Sequence, residues 1–399
     1  MKKTKYDLSA AICIISFPVP SVAVVNSFLY SLVEILEPLS KRIYLISGNI
    51  SNLGFEDGKV SIRDIRLSTH FRNEITPSWW SIILQIAKII IIQLKMSWNL
   101  LRISKDIQIA FFYVGGINLI LPILVAKVFR IKIITSAIGL SSSNFMKPSC
   151  GKIITYIVYP LILTIEKIIF FMSDTILVES PSVTNFLGLT KYNRKIINIG
   201  ARYINKEIFY ARQSVRDRES LIGYIGRLDE AKGVLNFVKA IPLLLDKNKK
   251  LKFFIGGNGS AYNQIRDELV KQNLLEYVTL VGWIPHEEVA EYLNKLKIFV
   301  LPSYSEGLPT IILESLACGT PVLTTPIGGL PDIIKDAKTG FIMSNNSPKI
   351  IAENVLRVLK CPALDEIVEN GKSLIETNYT YNAAIERYRC ILQKTLNYQ

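Results

Sequence analysis

The sequence predicts an α/β protein made of two Rossmann-like domains facing each other across a cleft. Three observations predict it. The chain has 399 residues, long for one compact α/β domain and comfortable for two that each bury a core. Apolar runs of strand length alternate with longer helical stretches, the pattern of a parallel sheet covered on both faces. The alternation breaks at a turn-rich, charged stretch, IGARYINKEIFYARQSVRDRES (199–220), and then restarts. Two successive βα series suggest two doubly wound domains.

In the first series the strand candidates are AAICIISF, KRIYLIS, IQIAFFYV, IKIITSAI and TILVES. The N-terminus carries the basic residues and apolar run of a signal peptide. Pro18 and Pro20 follow at once without a small-residue cleavage pattern, so the run reads as a first strand. Two helical stretches, 78–104 and 152–172, are unusually apolar. In the former, Ser81, Gln85, Lys88, Lys95, Asn99 and Arg102 fall on one narrow helical stripe, with Trp79, Trp80 and Trp98 near the ends. A membrane span would carry Gln85, Lys88, Gln93 and Lys95 through hydrocarbon, at roughly 2.5 kcal/mol or more for each central lysine. That argues against a span and leaves two choices: a helix packed on the sheet, or an interfacial helix turning its lysines toward anionic headgroups.

The second series offers LIGYIG, LKFFIGG, YVTLVG, KIFVLPS, TPVLTT and GFIM as strands, all but the last followed by a helical run. The expected division is an N-terminal domain over 1–198, a C-terminal domain over 199–380, and a final helix, 381–399, returning toward the first domain.

Composition narrows the class. Hydrophobic residues make up 49% of the chain and the mean hydropathy is +0.29, so some apolar surface is expected to face a membrane. The net charge of +14 suits an anionic partner. No helix-turn-helix, RRM or zinc-finger signature accompanies it, so nucleic acid is not the expected partner. Cys13, Cys150, Cys318, Cys361 and Cys390 are scattered, without a CxxC pair or a nearby histidine, and read as reduced packing residues in a cytoplasmic protein rather than metal ligands.

Two segments carry chemistry. In LIGYIGRLDEAKGVLNF (221–237) a strand ends in Gly226 and Arg227, and Lys232 and Gly233 open an apolar helix. Free amides at a helix start, glycines that admit close approach, and two cations of different reach suit a diphosphate. In SYSEGLPTIILESLACGTPVLTT (303–325), Glu306 lies in a loop after a strand. Gly307, Leu308, Pro309 and Thr310 lead into a helix carrying Glu314 on an apolar stretch. A carboxylate there is suited to ligand hydroxyls, each charge-assisted bond contributing roughly 1.5–3 kcal/mol. The plainer alternative is a helix-start carboxylate at Glu306 and a surface Glu314.

Together these segments resemble the retaining glycosyltransferases of family 4, the glycosyltransferase group 1 domain, with its GT-B fold. The resembling residues are GRLDEAKG (226–233), GGNG (256–259), VGWIPHEEVAEYL (281–293), the E-x7-E pair Glu306 and Glu314, and IGGLPDII followed by TGFI (327–342). The resemblance implies that Arg227 and Lys232 bind the diphosphate of a UDP or GDP sugar and stabilise it as leaving group. It implies that Glu314 holds the ribose hydroxyls and Glu306 those of the transferred sugar. The amides of Gly307, Leu308 and Thr310, beside Pro309, would face the sugar and phosphates. Trp283 and Ile284 would contact the base, and Gly226, Gly257 and Gly259 would line the donor site. It also implies that no metal and no cofactor beyond the donor substrate is required, consistent with the lack of an Asp-x-Asp motif.

The first half departs from the family. Where many members have a glycine-rich turn after the first strand, this chain has SFPVPSVAVV, and where many present a histidine, IITSAIGLSSSNF has none. Ser136 or Ser141 to Ser143 are the substitutes at hand. His70 lies in a polar connection and His286 heads a helix, so neither is assigned to catalysis. The acceptor, normally selected by this half, is expected to be lipid-linked or a glycan, met at the cytoplasmic face of the membrane by a peripherally bound enzyme. A noncatalytic nucleotide-sugar-binding subunit and a GT-B-fold epimerase are the alternatives.

Overall fold

The computed structural model describes residues 8, 10–18, 22–48, 58–65, 79–137, 159–200 and 203–397. The chain divides into two compact units: residues 1–178, 190–199 and 385–399, and residues 179–189 with 200–384.

The first unit contains β1 (Ala11–Ser16), α1 (Val22–Leu36), β2 (Arg42–Ser47), β3 (Val60–Asp64), α2 (Trp79–Ile103), β4 (Ile109–Val114), α3 (Ile120–Val128), β5 (Lys132–Ser136), α4 (Tyr159–Met172) and β6 (Thr175–Val178). After α5 (Pro181–Phe186), which belongs to the second unit, the chain returns as β7 (Ile196–Asn198). The parallel sheet has seven strands in the order β3-β2-β1-β4-β5-β6-β7. β1, β4 and β6 carry the continuous apolar runs that burial on both faces requires. The edge strands β3 and β7 are outside the sequence expectation, because VSIRD is largely exposed and IIN is three residues long.

α2 packs on the sheet, the first of the two options left open above. Ile92, Met96, Leu100 and Ile103 enter the core beneath it, and buried Gln93 accepts from the amide of Leu121 in α3 at 3.0 Å. Its outer face exposes Gln85, Lys88, Lys95 and Arg102, but also Leu84, Ile86, Ile90, Ile91, Leu94 and Trp98. Among the described residues, no helix is long and apolar enough to cross a membrane.

The second unit contains β8 (Leu221–Ile225), α6 (Val234–Leu245), β9 (Lys252–Gly256), α7 (Tyr262–Lys271), β10 (Val278–Val281), α8 (His286–Lys295), β11 (Ile298–Leu301), α9 (Thr310–Ala317), β12 (Val322–Thr324), α10 (Leu330–Ile333), β13 (Phe341–Ile342), α11 (Pro348–Leu359) and α12 (Leu364–Asn378). Its six parallel strands run β10-β9-β8-β11-β12-β13. Tyr224, Phe237, Phe253, Phe299 and Phe341 are fully enclosed in its core. α13 (Tyr381–Asn397) begins in this unit and ends in the first, where Tyr388 stacks on Phe111 and Thr395 bonds Thr175 at 2.8 Å.

A continuous boundary at 198/199 does not describe residues 179–189. They pack with the second unit because Asp332 of α10 accepts from both the amide and the hydroxyl of Ser182, each at 2.8 Å. Cys13 and Cys318 are buried free thiols, raised by burial well above the usual range, while Cys361 is half-buried and Cys390 exposed. Cys150, His70 and Ser141 to Ser143 lie outside the described residues.

Arg218, just before β8, is the most demanding buried side chain of this unit. Its guanidinium donates to the carbonyls of Leu296 (3.0 Å) and Cys318 (2.7 Å) and to Thr320 Oγ1 (2.7 Å), tying the ends of α8 and α9 together. Burial lowers its pKa to about 10, so it is still charged at neutral pH. Arg218→Met strips those carbonyls of their donors and should destabilise the second unit by about 3 kcal/mol; a urea midpoint unmoved by the substitution would refute this account.

Candidate active site

In both sheets the strand order reverses between two adjacent strands, and in the second unit these are β8 and β11, paired with Ile222 opposite Ile298. Ligands of open parallel sheets bind beyond the carboxyl ends of such strands, where the connections diverge and leave a crevice. The loops leaving β8 and β11 are the two segments singled out by sequence.

The β8 loop is anchored from below. Tyr224 is fully buried and its hydroxyl donates to the carbonyl of Arg227 at 2.7 Å, the partner a buried phenol needs. Burial, with Glu306 and Asp229 nearby, raises its pKa far above the ordinary range. A short 3-10 turn, Glu230–Lys232, ends at Gly233, whose φ of +65° is left-handed. A Cβ there would stand 2.0 Å from the carbonyl oxygen of Pro302 in the β11 loop, so only glycine lets the loops meet. The amide of Tyr304 closes the contact on the carbonyl of Ala231 at 2.9 Å.

That approach delivers Lys232 to Glu306. The ammonium donates to Glu306 Oε2 at 2.7 Å, and Ser303 donates to Oε1 at 2.6 Å. Glu306 is only 9% exposed, so this pair is largely desolvated. Glu306, read above as at the least a helix-start carboxylate, is buried and paired with a cation from another loop. Arg227 stands apart, its side chain 73% exposed and paired with Asp229 at 2.8 Å. Among the predicted diphosphate ligands, one is built into the site and the other reaches into solvent.

Pro309 caps the start of α9 and Thr310 is its first residue. Glu314, 4% exposed, lies on the helix with Oε1 at 2.7 Å from His286 Nε2. Glu314 is therefore not a surface carboxylate, whereas His286, at the start of α8, keeps a side chain 63% exposed, as a surface residue would, while its ring meets the buried carboxylate. The ring of Phe209 lies 5.3 Å from the imidazole.

The GGNG turn follows β9 and lies against the β8 loop: the amide of Gly226 donates to the carbonyl of Gly256 and that of Leu228 to Asn258. Cβ atoms at Gly257 and Gly259 would come within 1.8 Å of the Gly226 oxygen and 2.5 Å of the Leu228 oxygen. These glycines serve main-chain packing between the two turns. After β10, Trp283 is 72% exposed, open to a stacking partner. Ile284 is not: its side chain belongs to the core, because it fills the space above Gly256.

One expectation for the β11 loop needs correction. The amide of Leu308 is not open, since it donates to Glu179 Oε2 at 2.9 Å, and the Leu308 side chain is in the core. Gly307 makes room for that carboxylate, which would lie 2.1 Å from a Cβ at this position. Burial drives the Glu179 carboxyl up to about 7, with the nearby Glu306 adding to the rise and the Leu308 amide opposing it. Sequence reasoning passed over Glu179, although a carboxylate directly after the apolar run TILV is a detectable signal; nothing local announces His286. In the first unit, Ser136 ends β5, and Thr135 before it bonds Ser173 at 2.9 Å. Among the described residues, no group of three or more His, Cys, Asp or Glu is placed to hold a metal ion.

Two loops at a switch point, an ion pair and an E-x7-E helix can be compared with known proteins. Residues 205–374 match the family described as "Glycosyl transferases group 1". The match takes in every donor-site residue named from the sequence and leaves out Glu179. An uncharacterized glycosyltransferase of Methanocaldococcus jannaschii, MJ1178, is 32% identical over 202 residues, which is 50% of this chain and 54% of that one. The amylovoran biosynthesis glycosyltransferase AmsK of Erwinia amylovora is 27% identical over 177 residues, 43% of this chain and 44% of its own. The chain thus spans about half the length of these curated relatives. A solved sucrose-phosphate synthase from Thermosynechococcus elongatus superposes over 96% of this chain and 98% of its own with a TM-score of 0.71 at 19% identity. That likeness shows the fold: two Rossmann-like domains of the GT-B type.

The Lys232–Glu306 pair makes a stability prediction. Lys232→Met leaves a buried carboxylate unpaired and should destabilise the second unit by about 3 kcal/mol, whereas the double variant Lys232→Met with Glu306→Gln should recover most of that loss. Additive losses in the double variant, read by denaturant titration, would contradict the coupling.

Proposed function

We propose that this chain is a retaining glycosyltransferase of group 1 and family 4, moving a sugar from a UDP or GDP sugar to a lipid-linked or glycan acceptor. The observation that carries the reading is the placement of the E-x7-E motif on the β11–α9 corner, with Lys232 from the β8 loop against Glu306. The motif match over 205–374 supports it.

As the bond from the anomeric carbon to the diphosphate lengthens, positive charge develops on the sugar and negative charge on the leaving group. Lys232 stabilises the departing diphosphate, and Arg227 swings in from solvent to add a planar fork. Glu306 takes the sugar hydroxyls and Glu314 the ribose hydroxyls, with His286 released from Glu314 when the ribose arrives. Trp283 offers a face for the base. Lys232, fixed by its ion pair, and Arg227 together do the work that a divalent ion does elsewhere, so this reading calls for neither metal nor cofactor.

The acceptor reading rests on the first unit. α2, α3 and α4 lie side by side, joined by the Gln93–Leu121 bond and by Lys127 donating to the Met172 carbonyl at 3.1 Å. Beyond the apolar residues of α2, exposed Leu124, Val128, Phe129, Leu161, Ile168 and Phe171 continue the surface. Lys88, Lys95, Arg102, Lys127 and Lys167 are exposed among them, and the one acidic residue of the three helices, Glu166, is buried. Apolar side chains interleaved with cations suit the interface of an anionic bilayer. This supports peripheral attachment at the cytoplasmic membrane face, where a lipid-linked acceptor is met by two-dimensional search.

Two measurements test this. UDP, GDP or a sugar conjugate of one of them should raise the melting temperature, and Glu314→Ala or Lys232→Ala should abolish the rise; silence across the nucleotide panel would sink the donor assignment. Lys88→Glu with Lys95→Glu should weaken sedimentation with phosphatidylglycerol vesicles by about 2 kcal/mol or more, roughly thirtyfold. Unchanged partitioning would remove α2 as the anchor.

A further inference from the structure

The peptide joining Gly307 to Leu308 lies one residue beyond Glu306 and is gripped from both sides. Its carbonyl accepts from the amide of Gly329 at 2.7 Å, and its N–H donates to Glu179 Oε2 at 2.9 Å. The two gripping segments are tied to each other, because Ser182 bonds Asp332 through both carboxylate oxygens at 2.8 Å. Contact is too close for side chains to slip between: a Cβ at Gly328 would lie 2.0 Å from the Glu306 carbonyl oxygen. The result is a closed ring of short contacts running from Glu179 through Ser182, Asp332 and Gly329 back to the Gly307–Leu308 peptide.

We propose that Glu179 is a positioning residue for Glu306: by holding the Leu308 amide it fixes the peptide that sets the direction in which Glu306 meets the donor sugar. The inference rests on the donor reading above and extends it to a residue outside the family match. Glu306 has little freedom at its own tip, where Ser303 and Lys232 occupy both oxygens, so its aim depends on the backbone that carries it. Of the contacts that fix the next peptide, the one from Glu179 is made by a side chain and is therefore open to test by substitution.

The chemistry agrees with this role. A carboxyl driven up to about 7 by burial and by Glu306 is held against its own solvation, as happens where position matters more than stability. An amide oxygen accepts from a backbone N–H as a carboxylate oxygen does, so glutamine should keep the grip and alanine should lose it.

The experiment uses the full chain with Glu179→Ala and Glu179→Gln. It reads hydrogen exchange at the Leu308 amide, dissociation constants for UDP and GDP, and turnover of the nucleotide sugar that the wild type uses. Alanine should speed exchange at Leu308 and lower kcat by about tenfold to a hundredfold, the scale of a small misplacement in a reacting site. Nucleoside diphosphate affinity should stay within about twofold, since the lost contact lies at the sugar end, and glutamine should restore both exchange and kcat. An alanine variant with wild-type kcat overturns the proposal. So does one that binds nucleotide more tightly, which would make Glu179 a blocker of the amide. A glutamine variant as impaired as alanine overturns it as well. A wild type that neither binds nor turns over any nucleotide sugar fails at the donor reading instead, before either variant is compared.

Discussion

The buried pair of Lys232 and Glu306 is the contact on which the second unit's site depends. Neither charge could be taken out of water alone, and each comes from a different loop. The pair exists because β8 and β11 are neighbours at the point where strand order reverses, which brings their following loops side by side. Gly233 then lets the loops touch main chain to main chain, Tyr304 binds Ala231, and Tyr224 props the Arg227 turn from within the core. Strand order places the chemistry, and the glycine permits the distance.

A second consequence is that the polar groups of the site are answered by the protein itself. Lys232 is met by Glu306, Glu314 by His286, Leu308 by Glu179 and Arg227 by Asp229. Buried polar groups without partners are destabilising, so a site of this kind is stable only when it holds its ligand or stand-ins for it. A ligand entering it exchanges partners rather than adding bonds, and its affinity is the difference between the two sets. Partners at the exposed edge, His286 and the Arg227–Asp229 pair, are the ones that yield at least expense.

The first unit uses its helices differently. Those of the second unit carry ordinary polar outer faces, as on α7 and α8, whereas α2, α3 and α4 leave leucine, isoleucine, valine, phenylalanine and tryptophan exposed beside lysines. One chain therefore presents a polar, charge-paired crevice in one unit and an apolar, cationic surface in the other.

How much of this was legible depended on the range of the interaction. Apolar runs marked the central strands because burial on both faces leaves no room for polar residues, while the edge strands β3 and β7, without that constraint, left no mark. The E-x7-E spacing located Glu306 and Glu314 because helix geometry is local and the motif is specific. The sequence by itself determined two parallel-sheet domains and singled out the two loops that meet beyond β8 and β11. Tertiary structure decided which charges meet: that Lys232 lies on Glu306, that His286 faces Glu314 across 28 residues, that Ile284 is core, and that Glu179 grips Leu308 across 129. The physical reason is that hydrophobic periodicity records whether a residue is buried, whereas the partner of a buried charge is set by strand order and loop approach, which no local window contains.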